Sequence, residues 1–212
     1  MKIWQKATGS KKEVESFTIG RDPEFDSILA PFDVLGSMAH AAMLQKIGLL
    51  TEEENTTLQQ GLKEIYFEIE KGKFKIEAGV EDVHSQVKFL LTERYGDVGK
   101  KLHSGRSRND QVLVDLKLYY RAAIRDLVEA SAELSELLLS LSKKHQSDLM
   151  PGYTHTQLAM PSSFGLWFSS FAEGISEDLS LMKAAFDLCN KNPLGSAAGY
   201  GSSFPLDRTM TS

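Results

Sequence analysis

"VLVDLKLYYRAAIRDLVEASAELSELLLSLSKKHQSDLM", from Val112 to Met150, contains neither glycine nor proline. Leu113, Leu116, Tyr120, Ile124, Leu127, Leu134, Leu138 and Leu141 recur in it at threes, fours and sevens. That spacing marks one apolar face of a helix. Helix throughout this stretch would exceed ~50 Å at 1.5 Å of rise per residue. Helices of such length belong to coiled coils, membrane spans or long bundles. Lysine, arginine and glutamate interrupt the apolar face, so a bundle is the expectation.

Working outward, Pro151 and Gly152 are expected to break this helix, and "YTHTQLAMP" to connect it to the next. Ser162 to about Asn190 reads as a second long helix, lined by Phe164, Trp167, Phe168, Phe171, Ile175, Leu179, Met182 and Phe186. "NPLGSAAGYGSSFP" follows as a Gly/Ser-rich loop. On the other side, residues 1 to about 32 read as irregular, with "GRDPEFD" and Pro31 as breakers. Asp33 to Leu50 has helical periodicity. Thr51 and Glu54 form a T-x-x-E capping box that opens another helix, which Gly72 stops. "FKIEAGV" is a loop, and Glu81 to Tyr95 is a third short helix ended by Gly96. No internal repeat or low-complexity tract occurs. The fold expected is all-α: a small helical domain over 1–106, then the first part of a central long-helix bundle over 107–212. Two long helices joined by one turn expose more apolar surface than they can hide, so the bundle should be completed by other copies or by further chain.

Bulk properties narrow the class. The 212 residues are 42% hydrophobic and 25% charged, which is globular composition. A net charge of -5 argues against a nucleic-acid binder. Cys189 is the only cysteine, so no intrachain disulfide can form. It falls in the apolar register of the last helix and reads as a small core residue. The N-terminus lacks the apolar core of a signal peptide. No uninterrupted apolar run approaches the ~20 residues a membrane helix needs. A cytoplasmic protein that binds no membrane is expected.

Three clusters could carry chemistry. "HSGRSRNDQ", His103 to Gln111, places Arg106 and Arg108 at the mouth of the long helix. Guanidinium forks suit carboxylates, and Ser107, Asn109 and free helix N–H groups add donors, so Arg106, Ser107, Arg108 and Asn109 form a candidate anion site. A capped turn with two surface arginines is the competing reading. "GYTHTQ", Gly152 to Gln157, presents His155 between Thr154 and Gln157: an acid or base near neutral pH, or a turn histidine satisfying helix ends. "EDVHSQ" supplies His84, equally readable as structural or functional. No H-x-x-H or H-x-x-x-H pairing and no cysteine cluster occurs, so no metal site is expected. The glycines of the late loop do not fit G-x-G-x-x-G, which excludes a dinucleotide site.

Taken together these segments resemble one family. "GKKLHSGRSRNDQV", "MPGYTHTQLAMP" and "NPLGSAAGYGSSFPLDR" look like consecutive signatures of the argininosuccinate lyases, within the fumarase/aspartase superfamily that includes the delta-crystallins. "EDVHSQ" and "DVLGSMAH" resemble two further family stretches. The likeness runs from about Asp26 onward, in order. It implies reversible β-elimination of argininosuccinate to arginine and fumarate in arginine biosynthesis, no cofactor, and a homotetramer whose active sites draw on several subunits. By the same resemblance Ser107, Arg108 and Asn109 contact substrate carboxylates, with Thr154 beside them. His155 takes part in acid–base chemistry, His84 matches a family active-site histidine, and Gln157 matches a substrate contact.

Two departures stand out. Asp22 falls near the position of a family serine that contacts substrate, and an acidic side chain does not take that role. The family loop G-S-S-x-M-P-x-K-x-N-P, with its catalytic serine and lysine, has no match here, since "YGSSFP" lacks the lysine and the N-P. The sequence therefore resembles the N-terminal half of such a lyase. A non-catalytic crystallin-like or carboxylate-binding chain, or a lyase of another substrate, are the alternatives.

Overall fold

The computed structural model describes Phe17 and residues 20–77, 79–197 and 199–212. Those residues form six helices and one two-stranded hairpin: α1 (Asp22–Lys46), α2 (Glu52–Glu70), α3 (Val83–Tyr95), α4 (Asp97–Lys101), α5 (Arg108–Lys144), β1 (Leu149–Thr154), β2 (Gln157–Ser163) and α6 (Phe164–Cys189). The helical class is as expected, with the hairpin as an addition. Two compact units result. One runs to Tyr119 and includes Lys191–Ser212; the other is Tyr120–Asn190.

The first unit holds the core. Ala30, Val34, Leu44, Leu58, Leu62, Ile65, Val87 and Leu91 are buried together from α1, α2 and α3. α1 begins at Asp22, eleven residues before the expected start, and runs through Pro31. The expected irregularity of the first 19 residues lies, Phe17 apart, outside the described residues. Pro23 occupies the first turn, where a missing N–H costs nothing, and Asp22 and Glu24 face the positive helix end. An internal proline costs about 3 kcal/mol. Burying Ala30, Val34, Ala41, Met43 and Leu44 on the same helix outweighs that. By length and apolarity α1 also passes as a membrane span, contrary to the sequence reading, but half of that window is buried inside the protein.

α2 starts at the expected capping box. The Glu54 N–H donates to Thr51 Oγ1 and the Thr51 N–H to Glu54 Oε2, each at 3.1 Å. Gly61 lets α2 approach α3: a Cβ there would lie 2.4 Å from the Tyr95 ring and 2.8 Å from Leu91. Asp82 caps α3 by accepting from the Ser85 N–H at 2.7 Å, and Gly96 ends it at φ 63°.

α5 spans 37 residues, about 55 Å. It ends at Lys144, seven residues before the expected break at Pro151. The polar run "HQSD" turns on itself instead, with His145 Nδ1 and Asp148 Oδ2 2.6 Å apart. The expected connection after it is a hairpin. Leu149 pairs with Ser163 and Thr154 with Gln157, with an irregularity between Pro151 and Tyr153. In the second unit, among the described residues, Ala172 is the only buried hydrophobic side chain, while Leu134, Leu137, Leu166, Trp167, Phe171 and Leu181 are exposed.

Candidate functional site

Four of the residues singled out in the sequence open α5. Gly105, at φ 66°, turns the chain, and the Ser107 hydroxyl accepts from the Asn109 N–H at 3.0 Å. The helix starts at Arg108. Asp110 Oδ2 accepts from the Ala197 N–H at 2.7 Å and ties the Gly/Ser-rich loop to the start of α5. Ala197 and Tyr200 in that loop have φ of 53° and 74°. An open cavity of about 560 Å³ lies there, lined by Ser107, Asn109, Asp110, Gly195, Tyr200 and Arg208.

The two arginines part company. The Arg108 side chain is 45% exposed and its fork faces two carboxylates ahead of α3: Nη1 lies 3.1 Å from Glu81 Oε1, and Nη2 pairs with Asp82. An incoming anion must therefore join or displace these partners. Arg106 is buried, 7% exposed, and its Nη1 donates to Ser37 Oγ at 3.1 Å.

Beside Arg106 lies a buried polar cluster from three helices that the sequence reading missed. Asp33 of α1 accepts at Oδ1 from His84 Nδ1 of α3 at 2.7 Å and from Gln111 Nε2 of α5 at 3.0 Å. Asp115 Oδ2 lies 3.6 Å from the same His84 nitrogen, and neither Asp115 oxygen has a hydrogen-bond partner. Burial and then the Asp33 charge push Asp115 up to about 8. Burial alone would raise Asp33 as well, but the His84 hydrogen bond and charge, with Arg106 and Gln111, hold it below the ordinary carboxylate range. Burial alone would lower His84, and Asp33, Asp115 and Asp82 raise it above the ordinary value instead. His40, whose Nε2 donates to the Ser104 carbonyl at 2.9 Å, is pushed down to about 3 by burial and then by Arg106. Asp33, His84 and Asp115 each offer a ligand atom within 4.8 Å of the others, but the buried Arg106 charge beside Asp33 and Asp115 already balances them and opposes a cation. His and Cys spacing along the chain carries no sign of a group assembled from separate helices. A visible signal was Asp33, Ser37 and His40 at helical spacing beside Val34, Ala41 and Leu44. His84, Arg106, Arg108 and Gln111 line a small cavity of about 60 Å³.

In the second unit the hairpin turn carries Thr154, His155 and Gln157, all exposed. His155 and Thr156 occupy the two central positions at φ 49° and 62°. Two-residue hairpin turns with positive φ at both central positions ordinarily use Asn-Gly. A β-branched threonine there is strained, and such strain concentrates at functional sites.

The protein family described as Lyase matches residues 2–212. The chain belongs to the lyase family. Among lyases it is 61% identical over 210 residues to an argininosuccinate lyase of Bacteroides fragilis, covering 99% of this chain and 47% of that protein. It is 36% identical to one of Thermotoga neapolitana, covering 99% and 53%. The chain spans about half the length of the curated relatives it matches. In structure it resembles an EDDS lyase variant with bound fumarate, at a TM-score of 0.77 and 27% identity, over 97% of this chain and 41% of that one. A fumarate lyase/delta-crystallin protein of Brucella melitensis bound to cobalt matches at a TM-score of 0.75 and 15% identity, over 96% and 50%, which shows the fold alone. The resemblance read from the sequence motifs is thereby confirmed.

Proposed function

We propose that this chain is part of an argininosuccinate lyase, cleaving argininosuccinate reversibly into arginine and fumarate. The observation that carries the reading is the 61% identity to such an enzyme across a chain that holds both the Arg108 turn and the His155 hairpin. In the elimination a proton leaves the carbon next to one carboxylate, the C–N bond breaks, and the electron pair departs with the guanidino nitrogen, which is protonated. Negative charge builds on that carboxylate in the transition state. Fixed donors aimed at it supply the stabilisation.

Arg108, Ser107 and Asn109 take the substrate carboxylates at the positive end of α5, exchanging the Glu81 and Asp82 contacts for substrate. Thr154 and Gln157 contact substrate from the hairpin, and His155 moves a proton, with His84 as a second active-site group. Arg106, buried among Asp33, Asp115 and Asp110, serves in this reading as an internal counter-charge rather than as a substrate fork. The chemistry needs no cofactor. The exposed apolar face of α6 and α5 supports assembly into a homotetramer, with the division at 106/107 marking where the bundle begins, and a cytoplasmic location fits a pathway of soluble amino acids. A full-length lyase carrying these residues is assayed with argininosuccinate, adenylosuccinate, aspartate and fumarate. Fumarate and arginine from argininosuccinate alone supports the reading; turnover of another member of the panel in its place refutes it.

A further inference from the structure

We infer that Asp33 and Asp115 are positioning residues for His84, fixing the imidazole through Nδ1 so that Nε2 is presented to the cavity it shares with Arg108. Geometry carries this. Asp33 is 1% exposed and sits on α1, in the middle of the core. Its Oδ1 takes two donors, His84 Nδ1 at 2.7 Å and Gln111 Nε2 at 3.0 Å, and so braces α3 against α1 and α5. An ionised carboxylate only accepts, so the Nδ1 atom carries the hydrogen whatever the charge of the ring. That leaves Nε2 as the atom free to meet a ligand. The His84 side chain is 9% exposed, which restricts its rotamer, and it lines the small cavity with Arg106 and Arg108. A carboxylate held against a working histidine in this way sets both tautomer and orientation.

Asp115 is the second carboxyl group beside the ring. Its Oδ2 lies 3.6 Å from the same nitrogen, and it has no hydrogen-bond partner of its own. The groups that bear on the ring are Asp26 and Asp33 from α1, Asp82 at the cap of α3, Asp115 from α5, and the opposing His103; the Arg106 charge acts on Asp33 and Asp115. The ionised carboxylates, Asp33 foremost, favour the imidazolium. In that form Nε2 becomes a donor, and His84 adds a second cation beside Arg108. This consequence rests on the reading that substrate carboxylates bind there; the ring's tautomer and charge do not.

The test separates the two. The 212-residue chain is labelled with 15N-histidine and titrated by NMR, in the wild type, Asp33→Asn and Asp115→Asn. The proposal expects a His84 hydrogen on Nδ1 throughout the neutral form. It expects the proton affinity of His84 to fall at least about tenfold in Asp33→Asn and by less in Asp115→Asn. In a full-length lyase the same Asp33→Asn should lower kcat about 10- to 100-fold, as loss of an outer partner typically does, with KM changed far less, and move the pH profile the way the NMR midpoint moves. A neutral ring with its hydrogen on Nε2, or a midpoint that neither variant shifts, overturns the proposal. Asp115→Asn and the wild-type tautomer decide the matter if Asp33→Asn does not fold. Absence of argininosuccinate cleavage in the wild type refutes the proposed function and leaves the NMR result to judge the positioning.

Discussion

Replacing Arg106 by methionine keeps most of the stem volume and removes the charge. The structure gives two consequences. Ser37 loses the donor now 3.1 Å away, a net cost of about 1 kcal/mol for one buried hydrogen bond. Asp33 loses the nearest buried guanidinium but keeps His84 at 2.7 Å. Removing one partner of a buried ionic group costs about 3–5 kcal/mol, and the surviving His84 contact places this case near the lower end. A total near 4 kcal/mol corresponds to a fall in melting temperature of roughly 8–16 °C for a chain of this size. Thermal unfolding at neutral pH followed by near-UV circular dichroism reads it, alongside KM for argininosuccinate in a full-length lyase. The account expects a large fall in melting temperature and a KM within threefold or so of wild type. A melting temperature within a degree or two of wild type, together with a large rise in KM, would show that Arg106 grips substrate and that the counter-charge argument is wrong.

Arg108→Lys keeps the charge and loses the two-armed fork, so turnover should drop about a hundredfold while the fold, which needs only an exposed cation there, is retained; steady-state kinetics with circular dichroism checks both. His155→Asn places a residue that tolerates positive φ in the turn. It should therefore preserve the hairpin, reduce kcat by about 10² or more, and hardly change substrate affinity; unchanged turnover removes His155 from the chemistry. Asp115→Asn tests the buried carboxyl by stability. Its folded value of about 8 lies above the ordinary 3.8, so the stabilisation it lends is complete below 3.8 and is lost as pH rises through about 8. The asparagine cannot ionise, so melting curves should show the variant gaining on the wild type between those two values and keeping that gain, without adding to it, above them. A gap that does not vary with pH contradicts the burial argument.

Local signals in the sequence were read well where they act locally. The capping box at Thr51, the glycine stops at Gly72 and Gly96, and the two long apolar-periodic helices depend on neighbours within four residues. Readings failed where tertiary burial decides. Pro31 looked like a breaker, yet α1 continues through it because one side of that helix fills the core. The hairpin at Leu149–Ser163 escaped notice because its turn is His-Thr rather than Asn-Gly and its strands carry Pro151 and Pro161. Among site residues, Ser107, Arg108 and Asn109 were legible because the start of a helix collects them in one turn, and Thr154, His155 and Gln157 because another turn does. Asp33, Gln111 and Asp115 were not, since only the packing of α1, α3 and α5 brings them to His84. Arg106 and Arg108 read alike in sequence, two residues apart, and only the fold buries one and exposes the other.

The most direct test of the account is fumarate release from argininosuccinate by a full-length lyase carrying these 212 residues, with arginine measured in the same samples. The account predicts fumarate and arginine in equal amounts, and loss of both in the Arg108→Lys and His155→Asn variants. A correctly folded, assembled protein that releases no fumarate from argininosuccinate would contradict it.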